Sequence, residues 1–264
     1  MLTTIRVSPR PVAVARILLA AGALLTCYEG AQLLAGLDAD RITTPVSAAL
    51  PSASAIAPTP WFLTMAAASV LLALGVLART SAGVLLAGNV LLLLVDHQLY
   101  SNHRFLLVLL CLWFALARTD RAWALGARSR RETDDGLVPW WPQLLVVATV
   151  SACYLFAGLS KINPEFLSGE LIAELSPDWV PARLAAWATV PTEIVLAAAL
   201  WWRRARLVAV LLGAALHVSI VVLLGTPLVF AAFALLCAAA YPLAWTLPRL
   251  AQAEAAATQR ASVA

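Results

Sequence analysis

Charge is scarce in this sequence: Asp, Glu, Lys and Arg make up 12% of its 264 residues, and hydrophobic residues 62%. Soluble domains carry roughly 25% charged residues, so a water-facing globule is excluded. Lysine is scarcer still, because Lys161 is the only one among eighteen basic residues. The four cysteines, Cys27, Cys111, Cys153 and Cys237, all fall within apolar stretches. They offer neither a disulfide framework nor a zinc spacing, and they leave the redox compartment open. The three histidines show no His-x-x-x-His or Glu-x-x-His spacing, which argues against a helical metal site. A net charge of +4 is compatible with nucleic-acid binding in a soluble protein, but here the arginines are scattered among short segments and build no basic face.

What is abundant is apolar sequence in runs of about 20 residues, the length that spans about 30 Å of hydrocarbon. These runs predict an all-α, polytopic membrane bundle of about eight helices, over 12–36, 60–78, 82–101, 103–118, 139–161, 182–202, 205–224 and 227–247. The first run is too long for the core of a signal peptide, and Leu24-Leu25-Thr26-Cys27 makes a poor lipoprotein box. With the N-terminus inside, fourteen basic residues are cytoplasmic and only Arg41, Arg104, Lys161 and Arg183 lie outside. That asymmetry is what the positive-inside rule expects for an even number of crossings, and both ends are then cytoplasmic. The domain plan is a cytoplasmic segment over 1–11, a transmembrane domain over 12–247 and a frayed cytoplasmic tail over 248–264. In the outer segment after the fifth helix, Phe166, Leu167, Leu171, Ile172 and Leu175 predict a short helix in the interface or a re-entrant segment.

Ionisable groups within spans are costly and mark candidate sites. Lys161 ends an apolar helix, either as a snorkelling anchor or as a base, since an amine can lose its proton where a guanidinium cannot. Tyr154, Gly158 and Lys161 share a helix face at i, i+4 and i+7, where Gly158 either leaves a gap or allows close helix approach. The polar run Asp96 to His103, which includes Asn102, either transfers protons or caps a hairpin. Glu193 and His217 fall at similar depth and are expected to pair. Glu29 is expected to have a structural partner such as an outer arginine.

The string Tyr154-Leu155-Phe156-Ala157-Gly158-Leu159-Ser160-Lys161-Ile162-Asn163, followed by Phe166 and Gly169-Glu170, resembles the signature of the horizontally transferred transmembrane (HTTM) family, which includes vitamin K-dependent gamma-carboxylase. Asn102-His103-Arg104-Phe105-Leu106 and Asp120-Arg121-Ala122-Trp123 resemble further family motifs, and His217 matches a late-helix histidine. The resemblance, over about 12–245, implies a lysine base toward a reduced quinone, assisted by a hairpin histidine; on this chain those residues are Lys161 and His103. Asn102, Tyr154, Gly158, His217, Glu193 and Asp96 are the candidate substrate-binding residues. In the implied chemistry a neutral lysine deprotonates the quinol, oxygen adds, and an alkoxide forms with the epoxide. Carboxylases carry a large extra-membrane region after the helices, and the chain stops shortly after its last one, so peptide carboxylation is not expected.

The leading expectation is therefore a carboxylase-related enzyme of the plasma membrane, acting at the outer face on a quinol or lipid-like molecule. A non-enzymatic maturation, immunity or lipid-binding protein is the alternative. A transporter with a proton path through Glu193 and His217 comes third, because no internal repeat is apparent.

Overall fold

Prolines mark where many of the helices begin, since the missing N–H is no loss in a first turn. The computed structural model describes residues 5–38, 43–47, 49–125 and 136–246; the expected tail over 248–264 and the arginines at 128, 130 and 131 lie outside them. Helix α1 runs Pro9–Asp38 and α2 runs Pro58–Leu74, ending on Gly75 at φ 70°. Then come α3 (Ala78–Val95), α4 (Asn102–Leu116) and α5 (Trp141–Ser160). Two short helices follow, α6 (Pro164–Leu167) and α7 (Glu170–Leu175), before α8 (Ala182–Ala199), α9 (Arg206–Leu223), α10 (Pro227–Ala238) and α11 (Ala240–Ala244). One two-stranded ladder pairs β1 (Arg6–Val7) antiparallel with β2 (Val138–Pro139).

Among the described residues, five helical stretches are long and apolar enough to cross a membrane: Pro9–Leu37, Ala78–Val95, Trp141–Ser160, Arg206–Leu223 and Pro227–Ala244. Helices α2 and α4 are apolar but shorter. Helix α8 has 18 residues yet is diluted by Arg183, Glu193 and an internal Pro191. Large side chains such as Val222, Phe156 and Leu211 stay exposed around the bundle, a surface suited to lipid and not to water. The molecule is a multi-pass membrane protein.

Hydrogen bonds gather several of the connections into groups. In one, Trp140 donates its backbone N–H to the Ile5 carbonyl at 3.0 Å, and the Thr246 hydroxyl donates to Gln143 Oε1 at 3.0 Å. The Arg16 guanidinium, fully buried, gathers a second: it donates to the Ala73 carbonyl closing α2 and to the Thr119, Ala122 and Trp123 carbonyls beyond α4. In a third, the Gly225 N–H of the α9–α10 turn reaches the Leu175 carbonyl of α7 at 3.0 Å.

The third helix is the clearest departure from its expected bounds, stopping at Val95 where the sequence suggested residue 101. Asp96 leaves the helix at φ −150° because its carboxylate is captured elsewhere. It accepts from the Thr44 N–H at 2.9 Å, the Thr44 hydroxyl at 3.0 Å and the Gln98 N–H at 2.8 Å. Those acceptor positions tie the α3–α4 turn to the segment after α1, and the Ser101 hydroxyl then caps α4 by accepting the Arg104 N–H at 3.3 Å.

Candidate functional site

Lys161 is the residue that closes α5, so its long side chain leaves the helix end and bends toward α8. There the ammonium sits 2.7 Å from each carboxylate oxygen of Glu193, with the Phe166 ring centroid 5.8 Å away. The lysine side chain is 26% exposed and the glutamate 7%, so the pair is sheltered on its acidic side and open on its basic side. Such a bidentate, charge-assisted contact is strong and directional. Glu193 therefore bonds Lys161 and not the expected His217, since a full positive charge is the better partner for a buried carboxylate.

One turn below, Gly158 allows the close approach of α8. A Cβ there would lie 2.9 Å from Ile194 Cγ1 and 3.2 Å from the Val190 carbonyl oxygen. The space on that face is filled by the neighbouring helix and is not a gap for a ligand. It is this packing that brings Glu193 against Lys161.

Two turns below Lys161, the Tyr154 hydroxyl lies 2.7 Å from His217 Nε2 and 2.7 Å from the Tyr241 hydroxyl. All three side chains are buried. Gly213 and His217 are four apart on α9 and share a face; Tyr241 lies over Gly213 so closely that a side chain there would collide with the phenol. His217 is also braced edge-on by Phe233 at 5.8 Å.

His103 belongs to a different cluster. Its Nε2 lies 2.5 Å from Glu29 Oε2, and Arg104 approaches the same oxygen at 3.5 Å while also donating to the Leu99 carbonyl. Asn102 accepts from the Tyr100 hydroxyl at 3.2 Å. Among the described residues, His103 and Lys161 share no hydrogen bond or ion pair: α1 and α4 hold the first, α5 and α8 the second. No three His, Cys, Asp or Glu side chains among the described residues are grouped to hold a metal ion.

Beside Lys161 a groove of about 460 Å³ opens along Ile162, Pro164 and Leu167 of the α5–α6 corner and Arg183 and Trp187 of α8. Its walls are mostly apolar side chains that a bilayer would face.

The model of the HTTM domain family matches residues 7–245, nearly the whole helical bundle. The chain belongs to the HTTM domain family. No curated protein and no solved structure matches it significantly. Within this HTTM domain the family string from Tyr154 to Asn163 occupies the second half of α5 and the turn into α6, so the ion pair, the glycine contact and the phenol all project from one helix.

Two participants escaped the reading of the sequence. Tyr241 was one polar group in the last apolar stretch, and only its position over Gly213 connects it to Tyr154. Glu29 was expected to meet an outer arginine and does so at Arg104, but its shorter contact is to His103. The signal available for both was a polar residue within an apolar run, which says that a partner exists without saying which.

Proposed function

We propose that this HTTM domain is a plasma-membrane enzyme that removes a proton from a lipid-soluble substrate, a quinol or lipid-like molecule, with Lys161 as base. The observation that carries the reading is the bidentate pairing of the only lysine with buried Glu193 beside a groove open to lipid. A proton passing from Nζ to a Glu193 oxygen over 2.7 Å leaves a neutral amine on the exposed side of the pair, one residue before Ile162 of the groove. That amine takes the substrate proton, which leaves both Lys161 and Glu193 protonated, and the extra proton leaves by the partly exposed lysine before the next turnover. A groove walled by apolar side chains also keeps water from competing for the reactive oxygen, which such a step requires. Asp96 follows α3 and Asn102 and His103 open α4, where they serve the bundle's outer end, with His103 held by Glu29. Tyr154, His217 and Tyr241 form a buried hydrogen-bonded floor beneath the ion pair.

The test is oxygen uptake by the purified protein in lipid nanodiscs on adding a reduced short-chain quinone. Uptake above that of empty nanodiscs supports the quinol assignment; none across a panel of benzo- and naphthoquinols removes it.

The same reading takes the bundle as eight crossings, α1, α2, α3, α4, α5, α8, α9 and the joined α10–α11, with residues 1–11 and 248–264 cytoplasmic around one transmembrane domain over 12–247. The arginine asymmetry supports it. A cysteine introduced at position 170, in a variant without the native cysteines, is expected to react with an impermeant maleimide in intact cells. Labelling only after permeabilisation would reverse the orientation.

A further inference from the structure

Arg183 begins α8 at the corner where α6 and α7 cross it, and its guanidinium makes no ion pair or hydrogen bond with any described residue. Two adjoining grooves meet on it, of about 460 and 540 Å³. Both are bounded by Arg183 and Trp187; the first continues along Ile162, Pro164 and Leu167, the second along Leu184. Trp187, Leu184 and Ile162 are each more than half exposed, so these walls face whatever surrounds the bundle. In a bilayer that is acyl chain, and tryptophan beside an unpaired arginine marks the level of the head groups.

The position of the Arg183 backbone relative to the outer segment is set by close contact. Gly169, at φ 85°, lies so near the start of α8 that a Cβ would stand 2.6 Å from the Arg183 backbone nitrogen. Glu165 belongs to the single turn of α6 whose Pro164 and Leu167 line the first groove, and it is exposed and unpaired among the described residues. Glu170, Glu174 and Asp178 continue the acidic character along the same segment. The corner therefore offers one free cation at the groove and exposed carboxylates on the adjoining α6–α7 segment.

That pattern selects a head group carrying both signs. A guanidinium fork matches two phosphate oxygens. A purely anionic head would place its charge beside the four carboxylates, whereas an ammonium would meet them. A quaternary choline has no N–H to donate, and a primary ammonium has three. We propose that the two grooves hold one zwitterionic aminophospholipid of the surrounding bilayer, with its phosphate on Arg183, its ammonium facing Glu165 and its chains along Trp187 and Leu167. The first groove is the one that the proposed function gives to the substrate, so the phospholipid occupies it when substrate is absent; its retention is read by binding alone and fails separately from oxygen uptake.

Native mass spectrometry of the full-length protein, released from nanodiscs containing equal phosphatidylethanolamine, phosphatidylglycerol and phosphatidylcholine, tests the assignment. The wild type is expected to retain one phosphatidylethanolamine in preference to the other two. Arg183→Gln is expected to lower that retention about tenfold, the loss of one charge-assisted contact, and Glu165→Gln to erase the preference while leaving phospholipid bound. Both side chains are exposed, so the variants keep the fold, and Arg183→Lys, retaining the charge without the fork, falls between. Phosphatidylglycerol or phosphatidylcholine held as firmly as phosphatidylethanolamine by the wild type, or unchanged retention in Arg183→Gln, overturns the site and identifies the grooves as ordinary annular contact.

Discussion

Lys161→Arg is expected to insert and accumulate like the wild type while losing quinol-dependent oxygen uptake by about a hundredfold or more, the range over which general bases act. Arginine keeps the positive charge and the reach of lysine, and its fork is suited to both oxygens of Glu193, so the contact between α5 and α8 survives. What disappears is the neutral amine, because a guanidinium stays protonated at any accessible pH. A lysine that served only to anchor the helix end would tolerate the change. Lys161→Ala separates the two roles further: the base is gone, and an added small primary amine is expected to restore part of the activity. Full oxygen uptake in the arginine variant would sink the proposal that Lys161 is the base.

Arg16→Met is expected to lower stability by about 3 kcal/mol, since each buried acceptor left without a donor costs roughly 1–3 kcal/mol. Methionine fills much of the volume but donates nothing to the Ala73, Thr119, Ala122 and Trp123 carbonyls that now converge on the guanidinium. Those carbonyls belong to the end of α2 and the segment after α4, so the loss is felt where three parts of the chain meet. For a protein of this size the midpoint of thermal unfolding would fall by about 10 °C. Arg16→Lys, which keeps the charge but offers fewer directions of donation, is expected to lie between the two. A methionine variant as stable as the wild type in a detergent melt would show that water or a rearranged loop satisfies the carbonyls.

Arg16 and Arg104 show how far a count of charges carries. Both entered the topology argument as markers of a side, and in the fold both are fully buried, one on backbone carbonyls and one against Glu29 and the Leu99 carbonyl. The side of the membrane follows from the number of arginines in each connection, but the work of each arginine depends on what another helix presents to it. Helix ends behave in the same way. Ser101 and Asn163 act as caps that can be read locally, whereas α3 stops at Val95 because Thr44, 52 residues away, captures Asp96.

The candidate site divides along the same line. Spacing on α5 put Tyr154, Gly158 and Lys161 on one face, and they remain there. Depth alone suggested that Glu193 and His217 would meet, yet each has another partner, Lys161 for the first and Tyr154 for the second. Equal depth leaves open the rotation of each helix about its own axis, and that rotation is set by contacts such as the one Gly158 permits.

Apolar length, the scarcity of charge and the string from Tyr154 to Asn163 were by themselves enough to determine a helical membrane protein and its HTTM family. These properties are written along single helices, where hydropathy and a period of 3.6 residues act on the chain one segment at a time. Only the tertiary structure decided that Glu193 belongs to Lys161, that Glu29 holds His103, and that Tyr241 reaches Tyr154 over Gly213. Within a bilayer the hydrophobic effect does not choose between helix faces, so small residues and interhelical hydrogen bonds set which side chains meet.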